Sequence, residues 1–309
     1  MCSVGTSSYK IGVDGGGTKT ECILVDGSGA IVARHLAPGC NPNVVGPEQA
    51  RLIVTDALGA LTSALNSQPS TLDSSPIVAT QLFMSGLPGF WSEFAASLKD
   101  FGRVTAALDS LPTLELATHG APGLVIHAGT GSFVAARAPD GSIHYAGGTG
   151  WRFGDPGSGY ELGRRAISRA LLELQGWLPA SRLGPTVRDH TRLGDAADAR
   201  AVTRFYYSHA EPNRIIAALA PAVLRLATEG DHTAHQVLIE SAVELLDLAN
   251  RVATKLFPGT PLDTIPTGLS GALLTNSTVA AALAPRTSLR LTPITAAPIE
   301  GVRLLLLRS

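Results

Sequence analysis

Charge is scarce in this sequence. Only 16% of its 309 residues are Asp, Glu, Lys or Arg, against about a quarter in an ordinary soluble domain. The 24 Lys and Arg nearly balance the 25 Asp and Glu, leaving a net charge of −1. Nucleic acid and anionic membranes reward a concentrated positive field, so neither is indicated as a partner. Cysteine is scarcer still. Cys2, Cys22 and Cys40 form neither CxxC nor CxxH, which excludes a disulfide framework and a cysteine metal knuckle and fits a reducing compartment. Long apolar runs are missing too. The most apolar stretch, Leu304 to Leu307, falls far short of the roughly 20 residues that cross a bilayer. The opening MCSVGTSSYK holds no apolar stretch of the signal-peptide kind, so the expected location is cytoplasmic. Neither GxxxxGK[ST] nor G-x-S-x-G occurs, so a Walker loop and a serine nucleophile elbow are excluded.

Hydrophobic residues, by contrast, make up 45% of the chain, enough for a substantial core. An internal repeat organises them. Residues 9–14 (YKIGVD) read as a strand, followed by Gly15-Gly16-Gly17-Thr18, a second strand over 20–25, a DGSG turn and a third strand (AIVARHL). Residues 123–146 repeat that order: GLVIHA, then Gly129-Thr130-Gly131-Ser132, FVAARA, a PDGS turn and IHYAGG. Thr18 and Thr130 align at an offset of 112, and Asp26 and Asp140 at 114. A Gly/Thr turn between strands permits positive φ, leaves no side chain in a ligand's way, and exposes N–H groups that can hold an anion.

Further along, Val54, Leu58, Leu61 and Leu65 mark one face of a helix within 46–66. Strands are expected at 77–84, at 103–108 and near 263–267, with a helix from about Leu273 to Leu283. The chain reads as helical from about 161 to 257. Two α/β lobes follow, 1–112 and 113–309, each begun by a β-meander, with a helical insertion in the second and the last helix free to pack back on the first. Apolar faces on that helical segment leave room for a homodimer.

Three carboxylates stand out. Asp14 ends a strand before the glycines, a place beside phosphates that a carboxylate can hold only through a cation, which implies magnesium. Asp109 ends the 103–108 strand, where an α/β lobe binds ligands; it reads as a general base or as a cap for the 110–118 segment. Asp155 lies among the glycines of 147–160, interleaved with Trp151, Phe153 and Tyr160, a segment whose backbone must pass close to something. Asn41 and Asn43 read as sugar ligands or as Asx turns. His127 reads as a hydrogen-bonded core residue, and His232 and His235 as a solvated face.

Taken together, Asp14 to Thr20, Ala128 to Ser132, Gly147 to Tyr160, Thr267 to Gly271 and Ala297 to Gly301 resemble the BadF/BadG/BcrA/BcrD-type ATPases, and within them the N-acetylglucosamine and glucosamine kinases. The resemblance implies the duplicated ribonuclease H-like (actin/hexokinase-like) α/β fold and an ATP-dependent kinase acting on the 6-hydroxyl of an amino sugar. It implies that Gly15, Gly16, Gly17, Thr18 and Lys19 with Gly129, Thr130, Gly131 and Ser132 hold the phosphates of ATP, and Gly268, Ser270 and Gly271 the adenosine. Asp14 would position Mg²⁺; Asn41, Ser85, Asp109, Thr130 and Asp155 would line the sugar pocket, with Asp109 as the base. Pro156, Thr149 and Leu108 depart from the residues usual in the family, all on the sugar side. Alternatives are an ATPase that activates a partner enzyme and a non-catalytic sugar sensor.

Overall fold

The computed structural model of the chain describes residues 8–66 and 77–308, with the backbone alone for residues 64–66. Cys2 and the side chain of Leu65 lie outside the described residues. The elements run β1 (Tyr9–Gly15), β2 (Lys19–Val25), β3 (Ile31–Pro38), α1 (Pro42–Val45), α2 (Pro47–Asn66), β4 (Ile77–Met84), α3 (Pro88–Ser97), β5 (Arg103–Leu108) and α4 (Ser110–Thr118). They continue with β6 (Gly123–Ala128), β7 (Ser132–Arg137), β8 (Ile143–Gly147), α5 (Gly159–Leu174), α6 (Leu183–Thr191), α7 (Ala199–Ser208), α8 (Pro212–Ala217), α9 (Ala220–Thr228) and α10 (His232–Leu256). β9 (Pro266–Ser270), α11 (Ser277–Leu283), β10 (Arg290–Pro293) and α12 (Pro298–Arg308) complete the chain. It divides into two compact units, Met1–His119 with Ala296–Ser309, and Gly120–Thr295. Among the described residues no helix is long and apolar enough to cross a membrane.

In the first unit β1, β2 and β3 form an antiparallel meander, and β4 and β5 extend it in parallel, giving the order β3-β2-β1-β4-β5. Because strand side chains alternate between faces, Ile11, Val13, Cys22 and Leu24 join Leu58, Leu61, Trp91 and Phe94 of α2 and α3 in one cluster. Ile23, Val25 and Phe83 point the other way and bury Ile299, Val302 and Leu306 of α12. Gly301 lets α12 lie against α4, since a Cβ there would stand 2.0 Å from the Pro112 carbonyl oxygen.

The second unit repeats this plan. Its sheet has the order β10-β9-β6-β7-β8, again an antiparallel meander extended by two parallel strands. That shared topology is the duplicated α/β fold expected from the sequence repeat. Leu124, Ile126, Ala128, Val134 and Ala136 face the helical segment and bury Leu162, Ala166, Leu245, Leu246 and Ala249 of α5 and α10. The helical segment differs from the sequence pattern in detail: the apolar run over 214–227 is two helices, α8 and α9, and Pro221 opens the second, since it has no N–H to continue a preceding helix. Residues 262–264 form a single 3₁₀ turn, so the strand expected near 263–267 starts only at Pro266. α11 begins at Ser277, not Leu273, because the Asn276 side chain caps it by accepting the Thr278 and Val279 N–H groups.

Candidate functional site

The first glycine turn joins β1 to β2 and is held from three sides. Gly16 N–H donates to the Lys19 carbonyl (2.9 Å), Cys40 N–H to the Gly16 carbonyl (3.1 Å) and Ser85 N–H to the Gly15 carbonyl (2.8 Å). The end of β3 presses close, since a Cβ on Gly39 would lie 2.2 Å from the Gly17 carbonyl oxygen. None of Gly15, Gly16 and Gly17 has positive φ, contrary to the reading from sequence. At Gly15 glycine supplies space, since Met84 and Cys40 fill the volume a side chain would need; Gly17 faces open solvent and leaves that side of the turn uncovered.

Asp14, the last residue but one of β1, is half-buried beside this turn. Its carboxyl is pushed up to about 7, first by burial and then by the charge of Asp109, with Lys19 opposing and Glu21 adding. Asp109, at the end of β5, is pushed up to about 6 by burial, partly offset by the N–H groups of Asp109 itself and Ser110. It sits at the N-cap position of α4 but makes no side-chain capping bond, so the structural role weighed for it is not exercised. Lys19 is exposed and its ammonium lies 3.2 Å from Glu21, which also accepts from Arg34 at 2.9 Å.

Nearby, the Asn41 Oδ1 accepts the Asn43 N–H (3.0 Å) in an Asx turn that caps α1. The same oxygen would stand 2.7 Å from a Cβ on Gly86, placing Asn41 next to Ser85. Asp14, Ser85 and Asp109 thus stand at the carboxyl ends of the neighbouring strands β1, β4 and β5, where open α/β sheets bind ligands.

The second unit carries the matching hairpin. Gly129 N–H donates to the Gly131 carbonyl (2.9 Å), and Gly159 N–H, at the start of α5, donates to the Gly129 carbonyl (2.8 Å). Thr130 is exposed at the tip. Asp155 is buried against Gly131, whose Cβ would stand 3.3 Å from its Oδ2. Burial pushes its carboxyl up to about 6, with the Gly150 and Ser132 N–H groups opposing and the Glu161 charge adding. In the segment that carries it, Gly147, Gly148, Gly150, Gly154 and Gly157 all have positive φ, so here glycine is needed for its backbone freedom. Gly271 is pressed against the end of β6, where a Cβ would stand 2.1 Å from the Ala128 carbonyl oxygen. Gly268 lies within β9, paired with Val125 and Thr292, and Ser270 ends that strand.

Several polar groups in these loops are buried without a hydrogen-bond partner among the described residues: Ser85 Oγ, Ser110 Oγ, Ser132 Oγ and Asp155 Oδ1. Leaving such a group unpaired costs about 1–3 kcal/mol, which a ligand that pairs it removes. Ser110 was not singled out from sequence, and its place beside Asp109 is the only local signal for it. Ser132→Ala is therefore expected to leave the thermal midpoint of the ligand-free protein unchanged or raised while shrinking the ligand-induced rise; thermal shift measurements with and without nucleotide check this. Cys22 and Cys40 are buried free thiols pushed up by burial to about 12 and 11, so neither offers a ready thiolate.

The BadF/BadG/BcrA/BcrD ATPase family model matches residues 11–288. The chain belongs to that family. Among the relatives of this ATPase family, it is 27% identical over 257 residues to an N-acetyl-D-glucosamine kinase of Dictyostelium discoideum, covering 80% of this chain and 79% of that one. It is 24% identical over 237 residues to an N-acetylmuramic acid/N-acetylglucosamine kinase of Clostridium acetobutylicum, covering 77% and 76%. The crystal structure of a candidate N-acetylglucosamine kinase from Chromobacterium violaceum matches with a TM-score of 0.77 at 31% identity, covering 97% of this chain and 98% of that one.

Proposed function

We propose that this ATPase-family chain is an ATP-dependent kinase that phosphorylates the 6-hydroxyl of an amino sugar, N-acetylglucosamine or glucosamine. The observation that carries the reading is the pair Asp14 and Asp109 at the carboxyl ends of β1 and β5, on either side of β4 and beside a glycine turn, in a chain whose relatives are amino-sugar kinases. Phosphoryl transfer asks mainly for alignment and charge neutralisation, with a carboxylate to orient the attacking hydroxyl.

Asp109 would accept the proton of the sugar hydroxyl as that oxygen attacks the terminal phosphorus of ATP and the bond to the ADP oxygen breaks. The N–H groups of Gly16 to Thr18 and of Gly129 to Ser132 would hold phosphate oxygens, and Gly268, Ser270 and Gly271 the adenosine side. Asn41, Ser85, Thr130 and Asp155 would fix the sugar, the unpartnered Ser85 and Asp155 oxygens being groups that sugar hydroxyls can satisfy. Asp14 fits a hard cation: it is a carboxylate whose burial and neighbouring Asp109 leave its negative charge short of compensation, and Mg²⁺ is held by one or two carboxylates together with substrate phosphates and water. When bound, Mg²⁺ neutralises phosphate charge.

Activity should fall as the medium becomes acidic, because Asp14 and Asp109 take up protons near 7 and 6 and a protonated Asp109 can no longer act as base. A kcat/KM profile between pH 5 and 9 checks this, with the acid limb falling as pH drops through that window. The reading itself is tested by coupled ADP release across glucosamine, N-acetylglucosamine, glucose and N-acetylmannosamine. Release that depends on one of the glucosamines is expected; ADP release indifferent to sugar would contradict it.

A further inference from the structure

One half-buried group in the second unit belongs to none of these roles. His127 lies on β6 between Ile126 and Ala128, and the strand alternation turns it away from the helix-covered face that Leu124, Ile126 and Ala128 occupy. In the register of β6 with β7 it stands opposite Phe133, and the two rings stack with centroids 4.8 Å apart and planes 16° apart. Phe133 in turn stacks on Tyr145 of β8 at 5.1 Å and 27°, its diagonal neighbour across the sheet. Three rings from three adjacent strands therefore form one column.

Each glycine segment of this unit meets that column. At one end His127 Nδ1 shares a hydrogen bond with Ser270 Oγ at 3.1 Å. On the other side of the same ring, a Cβ on Gly129 would lie 3.0 Å from Nε2. At the far end the Tyr145 hydroxyl occupies the space beside Gly148, 2.2 Å from where a Cβ would be. Ser270, Gly129 and Gly148 belong to the three separate loops to which adenosine, phosphate and sugar binding were assigned. Positions 127 and 270 are also partners in the register of β6 with β9, so the side-chain bond reinforces the strand pairing at the point where the two loops leave the sheet.

We propose that the His127–Phe133–Tyr145 column is a positioning device that fixes the spacing of these three loops, with His127 registering the Ser270 loop on the Gly129–Ser132 hairpin. Stacking holds the imidazole plane, and the Ser270 bond fixes its rotation about that plane, so the ring cannot turn without disturbing both loops. Burial also pulls the His127 ring down to about 4, so a neutral imidazole does this work at neutral pH. The inference rests on the reading of Ser270 and Gly129 as nucleotide loops, and it makes His127 a positioning residue for the nucleotide and not for the sugar.

The test combines four variants with ADP titration calorimetry and steady-state kinetics. H127F keeps the stack and loses the Ser270 bond; S270A loses the same bond from the other side; H127N retains an acceptor or donor near the Nδ1 position. H127F and S270A are each expected to weaken ADP binding and raise KM for ATP by about tenfold, the value of one hydrogen bond of roughly 1.4 kcal/mol. The KM for sugar should stay at the wild-type value, H127N should recover most of the loss, the ligand-free thermal midpoint should fall in S270A because the bond is made without nucleotide too, and the H127F/S270A double variant should be no worse than the weaker-binding single one. Undiminished ADP affinity in H127F, additive losses in the double variant, or an equal rise in the sugar KM would overturn the column's role while wild-type ADP binding left the nucleotide reading standing. Wild-type protein that took up no ADP would overturn both.

Discussion

Replacing Asp109 by Asn is expected to lower kcat by about 10²-fold or more, since a positioned base contributes about 10²–10⁴-fold, with nucleotide affinity within a factor of two of the wild type. The substitution preserves volume and the half-buried position at the end of β5. The Asp109 side chain makes no capping bond to α4, so the helix loses nothing by the change. What disappears is the ability to take a proton. Single-turnover measurement separates the effect from product release, and near-normal turnover would remove Asp109 from the chemistry.

Asp14→Asn is expected to act in opposite directions on activity and stability. Loss of the charge that compensates a phosphate-bound cation should lower kcat/KM by about 10²-fold, in the range found for removal of a preorganised electrostatic partner. The free protein, however, should become more stable above neutral pH. At pH values below the ordinary 3.8 the Asp14 carboxyl is protonated in the folded and unfolded chain alike. As pH rises, the unfolded chain releases that proton while the folded chain keeps it until about 7, so the folded state loses stability across this window. Asn mimics the protonated form and escapes the loss. The variant's thermal midpoint should match the wild type near pH 4 and exceed it by about 5 °C at pH 8, as differential scanning calorimetry at the two pH values would show. A lower midpoint at pH 8 would mean that the Asp14 carboxylate stabilises the fold, contrary to its surroundings.

Much of this fold is legible in the chain because its strands are short segments rich in apolar residues that end on a distinctive residue. β4 occupies Ile77–Met84 and β5 Arg103–Leu108, where apolar composition and the following Ser-Gly or Asp place them. The repeat of meander and glycine turn is likewise a local pattern, and the common strand order of the two units follows from it. β10 is not legible: Arg290–Pro293 is four residues long, largely exposed and ends in proline, so neither length nor alternation marks it. Of the two reasons the sequence offers for Gly15 to Gly17, positive φ does not hold; the sequence cannot separate a need for positive φ from a need for room. Only the approach of Met84 and Cys40 to Gly15 decides between them there, while a Cβ on Gly17 would meet nothing within 4 Å.

The candidate site divides along the same line. Asp14, Asp109 and Asp155 announce themselves, because a carboxylate at a strand end or inside a glycine run is out of place unless it serves something. The influence of Asp109 on Asp14 depends on β4 lying between β1 and β5, which nothing local encodes. The His127–Ser270 bond joins residues 143 positions apart, and in the sequence His127 is only a polar residue inside an apolar strand. Tertiary pairing, not local pattern, turns such residues into parts of a site.

The most direct measurement is identification of the phosphorylated product by ³¹P–¹H NMR after incubating the full-length wild-type protein with ATP, Mg²⁺ and N-acetylglucosamine or glucosamine. A phosphorus signal coupled to the two C6 protons of the sugar, appearing in step with ADP, is the predicted result. Inorganic phosphate alone, or phosphate coupled to the anomeric proton, would contradict it.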